Sequence, residues 1–274
     1  MRYHDAPVAT ISYYVHSFLM EAIAAKGYKI AISGTGADEL FTGYFDHTSM
    51  YLSERRTSPE YAEALGAWKS TIGRVVRNPY LKDPSLFSEK PEFRGHIYLD
   101  REIFQSYMLA PAPEDFFEKA YTPTLLRNRM MNELLHEVIP VILHEDDLNA
   151  MYYSVENRSP YMDRSLMEYA YKIPTRHLMR QGRTKSVLRD ALKGILNEDV
   201  RWDPHKKGFN ASITSLVDVQ DKATRARLVE DNGLFDVVNR NRVQEMLNED
   251  LSQNSFSKFL FSFISAKLFM ETYG

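Results

Sequence analysis

The 274-residue chain contains no cysteine. This excludes disulfides, thiolate zinc sites and any cysteine nucleophile, and it is compatible with a cytoplasmic protein. Long apolar runs are missing too. No stretch reaches the roughly 18 uninterrupted apolar residues that a membrane span needs, and the N-terminus lacks the basic, apolar, small-residue order of a secretory signal. Nor is there an excess of charge of one sign. A formal net charge of -3 leaves no electrostatic footprint for nucleic acid. Neither nucleic acid nor a membrane is therefore expected as a partner. Glycine and proline are scarce at 12 residues each, and with 44% hydrophobic and 26% charged residues the composition is that of a folded globular chain with a substantial core.

What is present is organised around Tyr28 to His47, YKIAISGTGADELFTGYFDH. Lys29, Ile30, Ala31 and Ile32 form an apolar run of the right length for a buried parallel strand. Ser33, Gly34, Thr35 and Gly36 follow as a small-residue turn whose backbone can approach a ligand closely and point amides at an anion. Asp38 and Glu39 then open a helix. Open α/β sheets bind ligands at such turns, beyond the carboxyl ends of their strands. The plainer reading is an ordinary strand-to-helix turn capped by Asp38.

Upstream, Val8 to Lys26 is apolar at helical spacing, with Ile11, Tyr14, Val15, Phe18, Leu19, Ala22 and Ile23 on one face and Gly27 as the stop. The strand at Lys29 needs ladder partners. Val75-Val76 and His96-Tyr98 are weak candidates, and sequence ahead of Met1 is the other source. Downstream, amphipathic helices are expected over Tyr61 to Arg77, Arg101 to Leu109, Thr122 to Leu143, Asp163 to Tyr171, Lys185 to Leu196, Val237 to Leu247 and Ser257 to Tyr273. Loops are expected at Pro79 to Pro91 and at Pro111-Ala112-Pro113. Phe259, Leu260, Phe263, Ile264, Leu268 and Phe269 repeat at helical spacing and read as core.

Three later stretches are dense in polar residues. In Glu145 to Asp163, Glu156 and Arg158 lie among apolar residues, where charges need partners, and a structural pair holding two helices is expected. Gly182 to Arg189 carries Lys185 at a helix start. Asp203 to Phe209 is a basic loop, of a kind that is usually only solvated.

Together these stretches resemble the synthetase domain of the glutamine-dependent asparagine synthetases. Ser33, Gly34, Gly36, Ala37, Asp38, Glu39, Gly43 and Tyr44 match the first motif of that family. Asp147, Met151, Glu156, Arg158, Pro160 and Asp163 match the second, Lys185, Leu188 and Arg189 the third, and Lys206, Gly208 and Phe209 the fourth. The resemblance runs from Asp5 to Phe209. It implies an α/β fold of the adenine-nucleotide alpha-hydrolase-like class, N-terminally truncated and mostly helical as it stands. Residues 1–45 would be the remnant of the parallel-sheet core and 46–274 the helical remainder.

The resemblance also implies a chemistry in which ATP activates a carboxylate as an acyl-adenylate and ammonia then forms the amide. Asp38 would bind Mg2+. Ser33, Gly34, Gly36 and Tyr44 would hold the nucleotide, while Lys185 and Lys206 would stabilise the charge that builds up on the phosphates. The family's Ser-Gly-Gly-x-Asp-Ser loop is absent here, as is its glutaminase domain, so ammonia would come from a glutaminase domain or partner. The variable residue of the glycine turn is glutamate in asparagine-forming members and Thr35 here. Threonine is no general base near neutral pH, which keeps aspartate and a sugar uronate both open as acceptor. Glu145 and Asp146 offer a substitute base, although a solvated helix start is their ordinary reading. A non-catalytic relict or one half of a split amidotransferase are the competing readings of the whole chain.

Overall fold

The computed structural model describes residues 1–97, 101–110, 116–203, 211–249 and 254–274, the side chains of 254–256 excepted. Helix α1 (Ile11–Ala25) leads through Gly27, whose φ of 82° suits a glycine stop, into strand β1 (Ile30–Ile32). Two short helices follow, α2 (Ala37–Phe41) and α3 (Phe45–Glu54).

The partner of β1 is β2, Glu156–Arg158, in a two-stranded parallel sheet with Ile30 opposite Glu156 and Ile32 opposite Arg158. Neither expected candidate serves. Val75 ends the short helix Ile72–Val75, and His96 is buried against Phe87 and Phe93, while Tyr98 lies outside the described residues. Glu-Asn-Arg has little intrinsic strand preference. It is extended because Val155, fully buried, anchors the chain after a turn at Ser154, and the strand is then laid along β1.

One face of this sheet is covered. Ala31 packs with Met20, Ala150 and Val155 beneath α1 and the long helix Ile139–Tyr152. The other face is open. Ile30 is 48% exposed and Ile32 76%, beside the exposed Glu156 and Arg158. Parallel sheets are ordinarily covered on both faces.

The face that α1 turns inward also differs from the expected stripe. Tyr14, Phe18 and Leu19 are exposed, and Tyr13, His16 and Met20 meet the long helix together with Ile23, the part of the expected stripe that does face it. Apolar residues lie around most of α1, so periodicity did not single out the buried side.

The main core joins Leu40 and Phe41 of α2, Met50 and Leu52 of α3, Trp68, Leu126, Met130 and Leu178. A second core is built on the last helix, where Phe259, Leu260 and Phe263 are buried as expected against Tyr107, Val243 and Met246, whereas Leu268 of the same stripe is exposed beyond the reach of that core. The expected helix Thr122 to Leu143 is two helices, Leu125–Asn132 and Ile139–Tyr152, joined by a π-helical turn at Glu133–Glu137. Pro140 lies in the first turn of the second helix, where the missing N–H costs nothing. Thr71 likewise breaks Tyr61 to Arg77 into Tyr61–Ser70 and Ile72–Val75. The stretch Pro79 to Pro91 holds two short helical turns rather than plain loop. No helix among the described residues is long and apolar enough to cross a membrane.

Candidate active site at the end of strand β1

The glycine turn is held on both sides. The Ser33 amide donates to the Arg158 carbonyl at 2.8 Å, which carries the ladder one residue past β1, and the Ser33 hydroxyl lies 2.9 Å from that of Ser159. Gly36 has φ +97°, and an added Cβ would stand 2.0 Å from Met162 Cε, so conformation and space both call for glycine. Gly34 is exposed and has nothing within 4 Å of an added Cβ. Its side of the turn is open to a ligand.

Asp38, in the first turn of α2, is ion-paired with Lys185 Nζ, and each side chain is 27% exposed. Lys185 reaches it from an unusual backbone conformation, φ +56°, as the residue before the helix Ser186–Ala191. Its amide donates to the carbonyl of Phe41 at 3.1 Å, which ties the lysine to the end of α2. Gly43 completes the arrangement. An added Cβ there would lie 1.6 Å from Asp38 Oδ1, so the carboxylate rests directly against the glycine backbone.

Glu39 points the other way. It is buried and accepts a hydrogen bond from the Tyr44 hydroxyl, and burial raises its pKa despite that bond. Burial, together with Glu39, pushes the Tyr44 hydroxyl far above its ordinary value. The hydroxyl of Tyr44 is thus committed to Glu39. Lys206, Gly208 and Phe209 lie outside the described residues.

Thr35 meets a second carboxylate. Its hydroxyl receives a hydrogen bond from Ser33 at 3.1 Å and donates to Asp146 Oδ2 at 3.5 Å. Glu145 and Asp146 are not at a solvated helix start. They sit within the helix Ile139–Tyr152 and are 8% and 7% exposed, since that side of the helix is roofed by α1 and the N-terminal turn. Asp146 Oδ1 lies 3.6 Å from His16 Nδ1, and Glu145 Oε2 lies 3.6 Å from His4 Nδ1. Burial raises the pKa of both carboxyls. It also pushes the Tyr13 hydroxyl up to about 12, with Asp146 adding to the effect.

Glu156 and Arg158 do pair, at 3.0 Å, but both lie on β2 with side chains 57% exposed. They join no helices. Alternation along a strand puts residues two apart on one face, and here it is the open face.

A buried network that the sequence did not announce lies behind the site. His47 Nε2 is 2.7 Å from Glu133 Oε2, His96 Nε2 is 3.1 Å from Asp46 Oδ2, and Arg129 Nε is 3.1 Å from Glu133 Oε1. Arg129 also reaches Glu118 and Glu137. Burial opposes the charge on His47, but Glu133 and Asp46 outweigh it and raise its pKa. Burial likewise opposes the charge on Asp46, while His96, His47 and Arg129 hold that carboxyl well below its usual range. Ligand atoms of Asp46, His47 and Glu133 lie within 4.8 Å of one another. Arg129 already neutralises these carboxylates, so the group reads as a lock between α3 and the helix Leu125–Asn132. The sequence signal was the Asp46-His47 pair, one residue beyond Gly43-Tyr44.

A parallel strand that runs into a glycine turn, with one helix layer beneath, fits an α/β protein, the class whose ligands usually bind beyond the carboxyl ends of the strands. The family follows from comparison. The asparagine synthase model matches residues 1–271, and the chain belongs to that family. It is 26% identical over 236 residues to asparagine synthetase [glutamine-hydrolyzing] 3 of Bacillus subtilis, covering 82% of this chain and 34% of that protein. It is 22% identical over 250 residues to asparagine synthetase [glutamine-hydrolyzing] 1 of the same organism, covering 85% of this chain and 39% of that protein. It is also 22% identical over 241 residues to the amidase chry2 of Gibberella zeae, covering 76% of this chain and 36% of that protein. The chain thus spans a little over a third of the length of these relatives.

Proposed function

We propose that this chain is the amide-forming part of an asparagine-synthase-like ligase, which activates a carboxylate with ATP and passes the acyl group to ammonia. The observation that carries the reading is the Asp38–Lys185 pair at the mouth of the glycine turn. A carboxylate and a mobile ammonium held side by side suit a polyphosphate with its cation. Asp38 is partly exposed and is a hard oxygen ligand, as Mg2+ requires, while Glu39 is withdrawn into its bond with Tyr44. The ion would supply charge neutralisation on the phosphates.

In this reading Ser33, Gly34 and Gly36 lie against the nucleotide, with the Tyr44 ring at its border. Lys185, freed from Asp38 when the cation binds, meets the negative charge of the departing pyrophosphate. Lys206 is its expected second cation. The acceptor is aspartate or a sugar uronate, and ammonia comes from a glutaminase domain or partner. The adenine-nucleotide alpha-hydrolase-like class, with residues 1–45 as the sheet remnant and 46–274 as the helical remainder, belongs to the same proposal, as does a cytoplasmic location. The open face at Ile30 and Ile32 supports a sheet covered on that side by polypeptide outside these residues, in one longer chain or a split enzyme.

The test is ATP–pyrophosphate exchange with candidate carboxylates, on the protein in its native assembly. Exchange that depends on a carboxylate and is lost in Lys185→Ala and Lys206→Ala supports the reading. No exchange with any carboxylate would leave the relict.

A further inference from the structure

Beside the Asp38–Lys185 pair runs a line of side-chain oxygens. Ser159 and Ser33 are 2.9 Å apart, Ser33 donates to Thr35 at 3.1 Å, and Thr35 donates to Asp146 at 3.5 Å. The line starts at the exposed turn and ends on a buried carboxylate. A buried carboxylate is costly unless its charge is compensated. Among the described residues Asp146 meets the Thr35 hydroxyl and the Asn157 side chain, with the His16 imidazole 3.6 Å away and no lysine or arginine. Glu145, its neighbour, faces His4 and has no bond to the turn.

We propose that Asp146, acting through the Thr35 hydroxyl, is the base that takes the proton lost by the nitrogen nucleophile as the amide forms. This rests on the amide-forming reading above. The nitrogen lone pair forms the bond to the acyl carbon, and the bond from that carbon to the AMP oxygen breaks, its electron pair leaving with AMP. The released N–H proton passes to Thr35 Oγ1, whose own proton passes to Asp146 Oδ2. His16, on the other carboxylate oxygen, is the outlet to solvent. A threonine alone cannot remove this proton near neutral pH, and a carboxylate behind it can. The charged or titratable groups facing Asp146 are His16 and Tyr13 from α1 and Glu145 from its own helix, and a carboxyl raised by burial in that company is a better base than a solvated one.

The experiment uses the protein in its native assembly with ammonium chloride as nitrogen source, so that no glutaminase step intervenes. Three rates are measured with aspartate or a hexuronate: ATP–pyrophosphate exchange, amide formation, and hydroxamate formation from hydroxylamine, whose more acidic adduct N–H loses its proton to water with less need of a base. Asp146→Asn is expected to lower amide formation about a hundredfold, the scale of general-base catalysis, and to leave exchange and hydroxamate formation within about twofold. Thr35→Val should show the same selective loss. Adding Thr35→Glu to Asp146→Asn puts a carboxylate in the turn itself and should restore amide formation. Unchanged amide formation in Asp146→Asn, or an equal fall of all three rates, overturns the proposal. Absence of exchange in the unaltered protein overturns the reading on which it rests.

Discussion

Lys185 is ion-paired with Asp38 although it must adopt φ +56° to reach it. A left-handed conformation costs a non-glycine residue about 1 kcal/mol, and a partly exposed ion pair returns about that much. The pair therefore contributes little to folding. Lys185→Gly is expected to keep or slightly raise the melting temperature while lowering pyrophosphate exchange by about a hundredfold. A matching loss of stability would make the lysine structural.

Gly43 is predicted to be as necessary as Asp38. A Cβ at position 43 would occupy the space of the Asp38 carboxylate. Gly43→Ala should displace that side chain, destabilise by about 1–3 kcal/mol as overpacking does, and abolish the Mg2+ dependence of exchange. Gly34→Ala should be tolerated by the fold, because nothing lies within 4 Å of its added Cβ.

His47 makes stability fall on the alkaline side. Its folded pKa is raised above the ordinary 6.5, so its contribution is fully present below pH 6.5 and is lost as pH rises through the folded value. Glu133→Gln should flatten this dependence. It should also cost about 3–5 kcal/mol, because it breaks a buried charge pair. Thermal melts from pH 6 upward, with and without the substitution, decide the point.

Asp146 should cost stability as well as serve chemistry. Burial raises its pKa, so the charged carboxylate that prevails as pH rises through the folded value is disfavoured in the folded state. Asp146→Asn should therefore melt higher than the unaltered protein at neutral pH while forming amide more slowly. Lower melting would mean that the carboxylate is structural.

Ile32, 76% exposed, tests the open sheet face. Ile32→Lys should change the stability of this chain by less than about 0.5 kcal/mol, as surface substitutions do. If polypeptide from elsewhere covers this face, the same substitution should lower activity of the native assembly severalfold.

Much of the site could be read from local sequence. β1, its glycine turn and Asp38 are contiguous, and their conformation follows from an apolar run that meets residues able to adopt positive φ or admit close approach. The aromatic stripe of the last helix was equally plain, because a Phe and Leu pattern at helical spacing has few other uses. β2 was not legible. Glu156, Asn157 and Arg158 carry no strand signal, and only the buried anchor at Val155 and the edge of β1 make them extended.

The sequence by itself determined the family motifs, the order of most helices and the turn that presents Asp38. Only the tertiary structure decided that Lys185 reaches Asp38, that Thr35 is backed by Asp146 rather than left alone, and that His47, Glu133 and Arg129 share one buried network. Backbone conformation is governed by near neighbours in the chain. The state of a charge depends on whichever distant residues are packed against it, and packing brings those together only in the folded molecule.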